Sequence, residues 1–160
     1  MIEEYRSVMR EHGAAYRISY YYDVVTEAPW ELMDTLGAVT DWTTRAKAPG
    51  ELILNSDRGS RLFYDFQEAV KYARQWTTGE EAAEIARREY EHLKAWCDDQ
   101  WYYIVIKVTK LDLDDQPTAF VASAWGIESD GDHDFIIRDL IDEVDYEEAQ
   151  HCYPVACYGI

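Results

Sequence analysis

The stretch WYYIVIKVTKL, residues 101–111, decides the fold because it is apolar on both sides of an extended chain. From 102 to 108 its even-numbered residues are all apolar, and several odd-numbered ones are apolar too, which is typical of a central strand. The next apolar run, TAFVASAWGI (118–127), follows a polar loop that ends in Pro117. This spacing predicts an antiparallel hairpin.

A further extended run, AYRISYYYDVV (15–25), places alternating apolar residues on one face and predicts another strand. The polar lead before it is interpreted as a frayed helix. The irregular region 38–60 contains one short possible strand, ELIL (51–54). Apolar residues at helical spacing predict helices at 30–36, 66–76, 80–97 and from Asp132 onward.

These elements predict an α+β fold, with a mainly antiparallel three- to four-stranded sheet and helices packed on one face. The chain has 160 residues and 48% apolar content, which suits a single domain over residues 1–160. No signal-peptide pattern and no apolar run of about 20 residues is present. Three cysteines, an odd number, argue against a secreted disulfide framework. We therefore expect a cytoplasmic protein with reduced thiols.

The net charge of −17 is unevenly distributed along the chain. Residues 111–160 contain 13 acidic residues and a single basic residue, Arg138. Such a field repels phosphate backbones and anionic membranes and favours basic partners. The predicted partner surface comprises all of these acids: Asp112, Asp114, Asp115, Glu128, Asp130, Asp132, Asp134, Asp139, Asp142, Glu143, Asp145, Glu147 and Glu148.

Each part of this surface also has an ordinary explanation. A run of carboxylates on a helix is usually a solubilising face. Asp112, Asp114 and Asp115 are residues that turns favour. Asp residues near residue 132 complement the dipole at a helix N-terminus. The segment ESDGDHD (128–134) lacks the glycine and the final glutamate of an EF-hand loop, so we do not predict one.

No catalytic or metal-binding motif is present. No paired zinc-ligand spacing occurs among the histidines and cysteines considered, which are His92, Cys97, His151, Cys152 and Cys157. Cys97 lies on the predicted buried stripe of its helix. We therefore expect no metal, no cofactor and no enzyme activity. A magnesium-dependent nuclease that uses Glu128, Asp130 and Asp132 is the third-ranked alternative, and it requires those carboxylates to converge.

Three stretches carry a resemblance: YDFQEAVKYAR (64–74), LKAWCDDQWYYIVIKVTKLD (93–112) and AWGIESD (124–130). In them the chain resembles a group of small acidic proteins encoded by phages and prophages. The resemblance implies a phage origin and a bacterial host, and it implies no activity. Phages encode small proteins that disable host defence complexes, and some of these place carboxylates where DNA phosphates bind.

The leading hypothesis is therefore a non-enzymatic inhibitor of a host defence system, of the anti-CRISPR or anti-restriction type. It would act as an acidic DNA mimic that blocks a basic nucleic-acid-binding protein. The alternative is a structural or regulatory interaction protein, a homodimer built on an aromatic sheet face, whose acids only solubilise it. Most of the aromatic residues must belong to the core, and the candidates for exposure beside the acids are Tyr21, Trp42 and Tyr153.

Overall fold

The computed structural model describes residues 3–152. In chain order its elements are β1 (Glu3–Glu11), β2 (Ala14–Tyr22), α1 (Pro29–Leu32), β3 (Glu51–Asp57), β4 (Ser60–Asp65), α2 (Phe66–Ala73), α3 (Gly79–Cys97), β5 (Tyr103–Leu111), β6 (Pro117–Glu128) and α4 (Asp134–Cys152). The predicted α+β fold is confirmed. The flagged Tyr153 and Cys157 lie outside the described residues.

The larger sheet has four antiparallel strands in the order β1-β2-β5-β6. The apolar strand β5 is central, and β5 and β6 form the expected hairpin. One face of this sheet is covered by α4, whose residues Ile137, Leu140, Ile141 and Val144 are buried. The core between them contains Tyr16, Ile18, Ile104, Ile106, Val108 and Ala122.

The interpretation of the N-terminal lead as a frayed helix is wrong, because these residues form the edge strand β1. The connection to β2 consists of His12 and Gly13, which both have positive φ, at 50° and 80°. Two successive residues with positive φ characterise the tight hairpin turns whose twist matches that of paired strands. The lead is polar because β1 is mostly exposed, so it lacks the apolar alternation that marks a strand.

The smaller sheet pairs β3 with β4, and it has its own core. The short predicted strand ELIL is therefore the start of β3, and it belongs to this second sheet. The helices α2 and α3 pack on β3. Side chains cap their N-termini: Asp65 accepts a hydrogen bond from the Glu68 amide at 2.9 Å, and Thr78 accepts one from the Glu81 amide at 3.5 Å. The core residues are Leu54, Leu62, Tyr64, Ala69, Ala86 and Leu93.

By the density of contacts the chain divides into two compact units. The first contains residues 1–26 and 102–160, and the second contains residues 27–101. The prediction of a single domain over residues 1–160 stays a prediction. No helix among residues 3–152 has the length and apolar character needed to cross a membrane.

Candidate functional site

Four exposed carboxylates line the outer side of α4. Asp139, Asp142, Glu143 and Glu147 lie at positions i, i+3, i+4 and i+8, so they share one face of the helix, and all four are exposed. We call these four residues the carboxylate ridge. The opposite side of α4 is anchored in the sheet core, which fixes the direction of the ridge.

The charge spacing of the carboxylate ridge resembles that of a nucleic acid strand. At 1.5 Å of rise per residue, the ridge from Asp139 to Glu147 extends about 12 Å and carries about one charge per 3 to 4 Å of axis. A single strand of DNA carries one phosphate per 3.4 Å. The ridge therefore presents charge at a density that a groove lined with lysine and arginine can accept.

Two exposed aromatic residues lie on the same side of α4 as the carboxylate ridge. Phe135, 75% exposed, precedes Asp139 by four residues, and Tyr146, 67% exposed, follows Asp142 by four residues. These spacings align the aromatic side chains with the ridge. Tyrosine, the residue type of Tyr146, is enriched at interface hot spots. Neither residue was predicted as part of the surface, although their spacing from the acids is visible in the sequence.

Asp145 and Glu148, by contrast, point toward the sheet and are half-buried. The Lys110 ammonium lies 2.8 Å from the Asp145 carboxylate and also contacts Glu148. The Tyr16 hydroxyl donates to Asp145 at 2.8 Å, and Tyr16 is the cross-strand neighbour of Lys110. The single positive charge of Lys110 offsets one of the two negative charges, so these two predicted partner-binding acids contribute less to the outer surface than the ridge does.

Burial and hydrogen bonds shift the pKa values of Tyr16 and Lys110 in this cluster. Burial, reinforced by the hydrogen bond to Asp145, raises the pKa of Tyr16 to about 12. Burial alone would lower the pKa of Lys110, but its hydrogen bonds to Asp145 and Glu148 outweigh burial and raise the pKa. Lys110 is therefore a charged ammonium at neutral pH and not a nucleophile. The cluster attaches α4 to the sheet.

The loop between β5 and β6 uses two of its three acids to form its turn. Asp112 accepts hydrogen bonds from the amides of Asp114 and Gln116, at 2.8 and 2.9 Å. Asp115 has a φ of 58° and pairs with Arg10 on β1 at 2.7 Å. Of the three acids, only Asp114 has a carboxylate that forms no ion pair and accepts no hydrogen bond from another described residue. The turn explanation accounts for Asp112 and Asp115.

The loop and the end of α4 nevertheless meet. One cavity of about 400 Å³ is lined by residues from both, among them Asp112 and Asp115 of the loop, Lys110 at the end of β5, and Glu148 of α4. Because α4 runs antiparallel to β6, its N-terminus lies at the other end of the sheet, roughly 28 Å away along 19 residues of helix. The predicted acids therefore occupy both ends of α4, and the carboxylate ridge lies between them.

The acids before α4 behave as helix N-terminal residues. Asp132 accepts a hydrogen bond from the Asp134 amide at 3.0 Å. Asp130, Asp132 and Asp134 are exposed, and Glu128 is half-buried. Within residues 3–152, no group of three or more His, Cys, Asp and Glu side chains is placed to hold a metal ion. Glu128, Asp130 and Asp132 thus do not converge as the nuclease alternative requires.

Arg138, the single lysine or arginine of residues 111–160, forms an ion pair with Glu11 on β1. Arg138 lies 3.1 Å from Glu11, so its charge is compensated at the edge of the sheet. No residue of the carboxylate ridge has an ion pair with any residue between 3 and 152. The ridge therefore remains uncompensated.

The remaining candidate residues lie elsewhere. Tyr21 is half-buried, and its partner Val105 places it on the sheet face away from α4. Trp42 is 47% exposed and belongs to the second compact unit. Cys97 is half-buried, and burial raises the pKa of its thiol to about 11, so the thiol stays protonated at neutral pH.

Comparison of the chain with protein-family models, with curated proteins and with solved structures found no match.

Proposed function

We propose that this protein is a phage-encoded, non-enzymatic inhibitor of a bacterial defence system that acts in the host cytoplasm. In this proposal it is a DNA mimic of the anti-CRISPR or anti-restriction type. Its partner is a basic protein or complex that normally holds nucleic acid. The observation that carries the proposal is the carboxylate ridge, with its exposed, uncompensated charges at phosphate-like spacing.

The rigidity of the ridge supports this proposal. The apolar residues on the other side of α4 are buried, and the Lys110 cluster fixes the helix near its C-terminal end. A preorganised row of charges loses little conformational entropy when it binds, which favours affinity. A flexible acidic tail would solubilise a protein equally well without such anchoring.

The composition of the outer face of α4 also supports a contact role. Single exposed apolar residues are common on protein surfaces. Phe135 and Tyr146, however, are more than two-thirds exposed and lie on the same side as the four carboxylates. An aromatic anchor beside charged residues is the arrangement expected of a protein interface.

One observation favours the alternative, a homodimer in which the acids only solubilise the protein. The sheet face away from α4 exposes Trp125 and Val8, at 53% and 52%. Trp125 also lines a shallow, mainly apolar cavity of about 320 Å³ with Tyr21 and Val105. Light scattering at low and high salt separates the two functions, because an apolar dimer survives salt that weakens an acidic contact.

Capture of a partner from nuclease-treated bacterial lysate tests the leading proposal. The immobilised protein should retain a partner that is released as the salt concentration rises, because exposed charge contacts are screened. The ridge variant, Asp139→Asn, Asp142→Asn, Glu143→Gln and Glu147→Gln, should lose that partner.

The matched control removes four exposed acids from the second compact unit: Asp34→Asn, Asp57→Asn, Glu91→Gln and Asp99→Asn. Both variants change the net charge equally, so a loss confined to the ridge variant assigns binding to the ridge. Equal retention by the ridge variant and the wild-type protein would show that the ridge does not bind the partner.

A further inference from the structure

A second candidate binding site lies in the second compact unit, separate from the carboxylate ridge. It is a cavity of about 590 Å³, a size within the range of small-ligand pockets. Three of the six tryptophans of the chain line it: Trp30 on α1, Trp42, and Trp96 on α3. A cavity that gathers half of the tryptophans has unusually aromatic walls.

Two of the indole rings that line the cavity contact each other. Trp30 meets Trp96 edge to face, with ring centroids 5.3 Å apart and planes at 87°. Trp42 remains 47% exposed, so its ring is not part of a closed core. Tryptophan has the most favourable ring face for cations among the aromatic side chains.

The charges around this cavity have one sign. Glu31 and Asp41 line it, and no lysine, arginine or histidine does. Both carboxylates are exposed, and neither forms an ion pair with a residue in the described range 3–152. Two uncompensated carboxylates and the negative faces of the indole rings attract a cation and repel an anion.

The cavity wall that carries Asp41 and Trp42 is fixed by hydrogen bonds to β4. The Thr40 amide donates to the Phe63 carbonyl at 2.9 Å, and the Phe63 amide donates to the Thr40 hydroxyl oxygen at 2.9 Å. Thr43 exchanges two backbone hydrogen bonds with Arg61, at 3.0 and 2.8 Å. Because this wall is held on both sides of Trp42, the cavity is formed before any ligand arrives.

The geometry points to a binding site for an organic cation, namely an alkylated ammonium or a guanidinium group. The ring faces contact the carbon atoms around the charge, and Glu31 and Asp41 supply the opposite charge. This site is independent of the carboxylate ridge, because none of its residues belongs to α4.

Titration with choline and with N-acetylarginine amide, followed by tryptophan fluorescence and calorimetry, tests the assignment. Choline represents a free quaternary ammonium compound, and the arginine derivative represents a protein side chain. At least one should bind saturably. The better binder tells whether the cation comes from a small molecule or from a protein.

The neutral isostere of choline, 3,3-dimethyl-1-butanol, measures the contribution of the charge. We expect it to bind at least about tenfold more weakly than choline, which corresponds to a cation–π and carboxylate contribution of a usual size. Equal binding of the isostere, or no saturable binding of either cation, would overturn the assignment.

Two variants assign binding to this cavity. Trp42→Ala and Asp41→Asn should each weaken cation binding severalfold, and Asp41→Asn changes an exposed side chain, so the fold is retained. The control is Trp125→Ala, which removes an equally exposed tryptophan from the other compact unit and should leave affinity unchanged. An unchanged affinity in the Asp41 and Trp42 variants would also overturn the assignment.

Discussion

Lys110 binds two of the seven acids of α4. Asp145 and Glu148 turn inward to its ammonium, whereas the four residues of the carboxylate ridge face outward. The side chain of Lys110 is only 15% exposed, so its charge depends on these partners. A half-buried cation with two carboxylates acts as a structural attachment of the helix to the sheet.

Replacement of Lys110 by methionine should therefore destabilise the protein. The change leaves Asp145 and Glu148 close together without a cation, and hydrogen bonds to charged groups contribute about 1 to 3 kcal/mol. Urea unfolding followed by circular dichroism measures the loss. Lys71→Met, at an exposed position on α2, is the control and should change stability by less than about 0.5 kcal/mol. Equal effects of the two exchanges would show that the cluster is not structural.

Glu51 provides a pH-dependent contribution to stability. Its carboxylate accepts two hydrogen bonds from Arg45, at 2.8 and 2.7 Å, and one from the Ala48 amide at 2.7 Å. The hydrogen bonds to Arg45 are the largest cause of a pKa lowered from 4.5 to about 2. Between these values the unfolded chain binds more protons at Glu51 than the folded protein does, so stability falls as pH decreases.

Glu51→Gln should thus lower the free energy of unfolding by about 1 to 3 kcal/mol at pH 7, and by clearly less at about pH 3. Urea midpoints of the wild-type and variant proteins at both pH values measure this difference. Glu91→Gln, at an exposed position on α3, should move the midpoint less than Glu51→Gln does at pH 7. A Glu51→Gln effect that stays constant from pH 7 to pH 3 would contradict the assignment.

Residue-level contacts of this kind were not predictable from the sequence. The alternating pattern of residues 15–25 correctly places Tyr16 on the apolar face of its strand. The position of Lys110 opposite Tyr16, however, depends on the register between β2 and β5. Register is set by the hydrophobic pattern together with turn geometry, and no short turn joins β2 to β5, so the pattern of one strand alone does not give it. Hence the sequence grouped Asp145 and Glu148 with outward-facing acids, although they bind Lys110.

At the scale of elements, the helices were more predictable than the edge strand β1. The buried stripe of α4 and the caps of α2 and α3 follow from spacing and from local hydrogen bonding. The exposed edge strand β1 has too little apolar alternation to identify it. Its clearest signal is His12–Gly13, a pair that suits a tight turn between strands.

Neutralising the carboxylate ridge should stabilise α4. Asp139 and Glu143, and Glu143 and Glu147, are like-charged pairs at i, i+4, and each costs a few tenths of a kcal/mol in a helix. The four-residue ridge variant should therefore unfold at slightly higher urea concentration than the wild-type protein. A marked decrease in its stability would mean that the ridge carboxylates support the fold.

At the scale of the whole molecule, negative charge is concentrated in residues 111–160, and seven of the 13 acids of that segment lie on α4. Residues 111–160 contain 13 acidic residues and one basic residue, and the acids with the fewest compensating contacts are those of the carboxylate ridge. A field of one sign speeds encounter with a partner of opposite sign. Composition predicted the sign of that field, and only the three-dimensional structure separates the ridge from the acids already bound to Lys110 and Arg10.

Competition with duplex DNA tests the central claim most directly. The captured partner, bound to the protein, is titrated with DNA of the kind that the partner holds, and the complexes are resolved by size. The account predicts that DNA and the protein exclude each other, and that the ridge variant, unlike the wild-type protein, does not displace DNA from the partner. A stable complex that contains the partner, the protein and DNA together would contradict it.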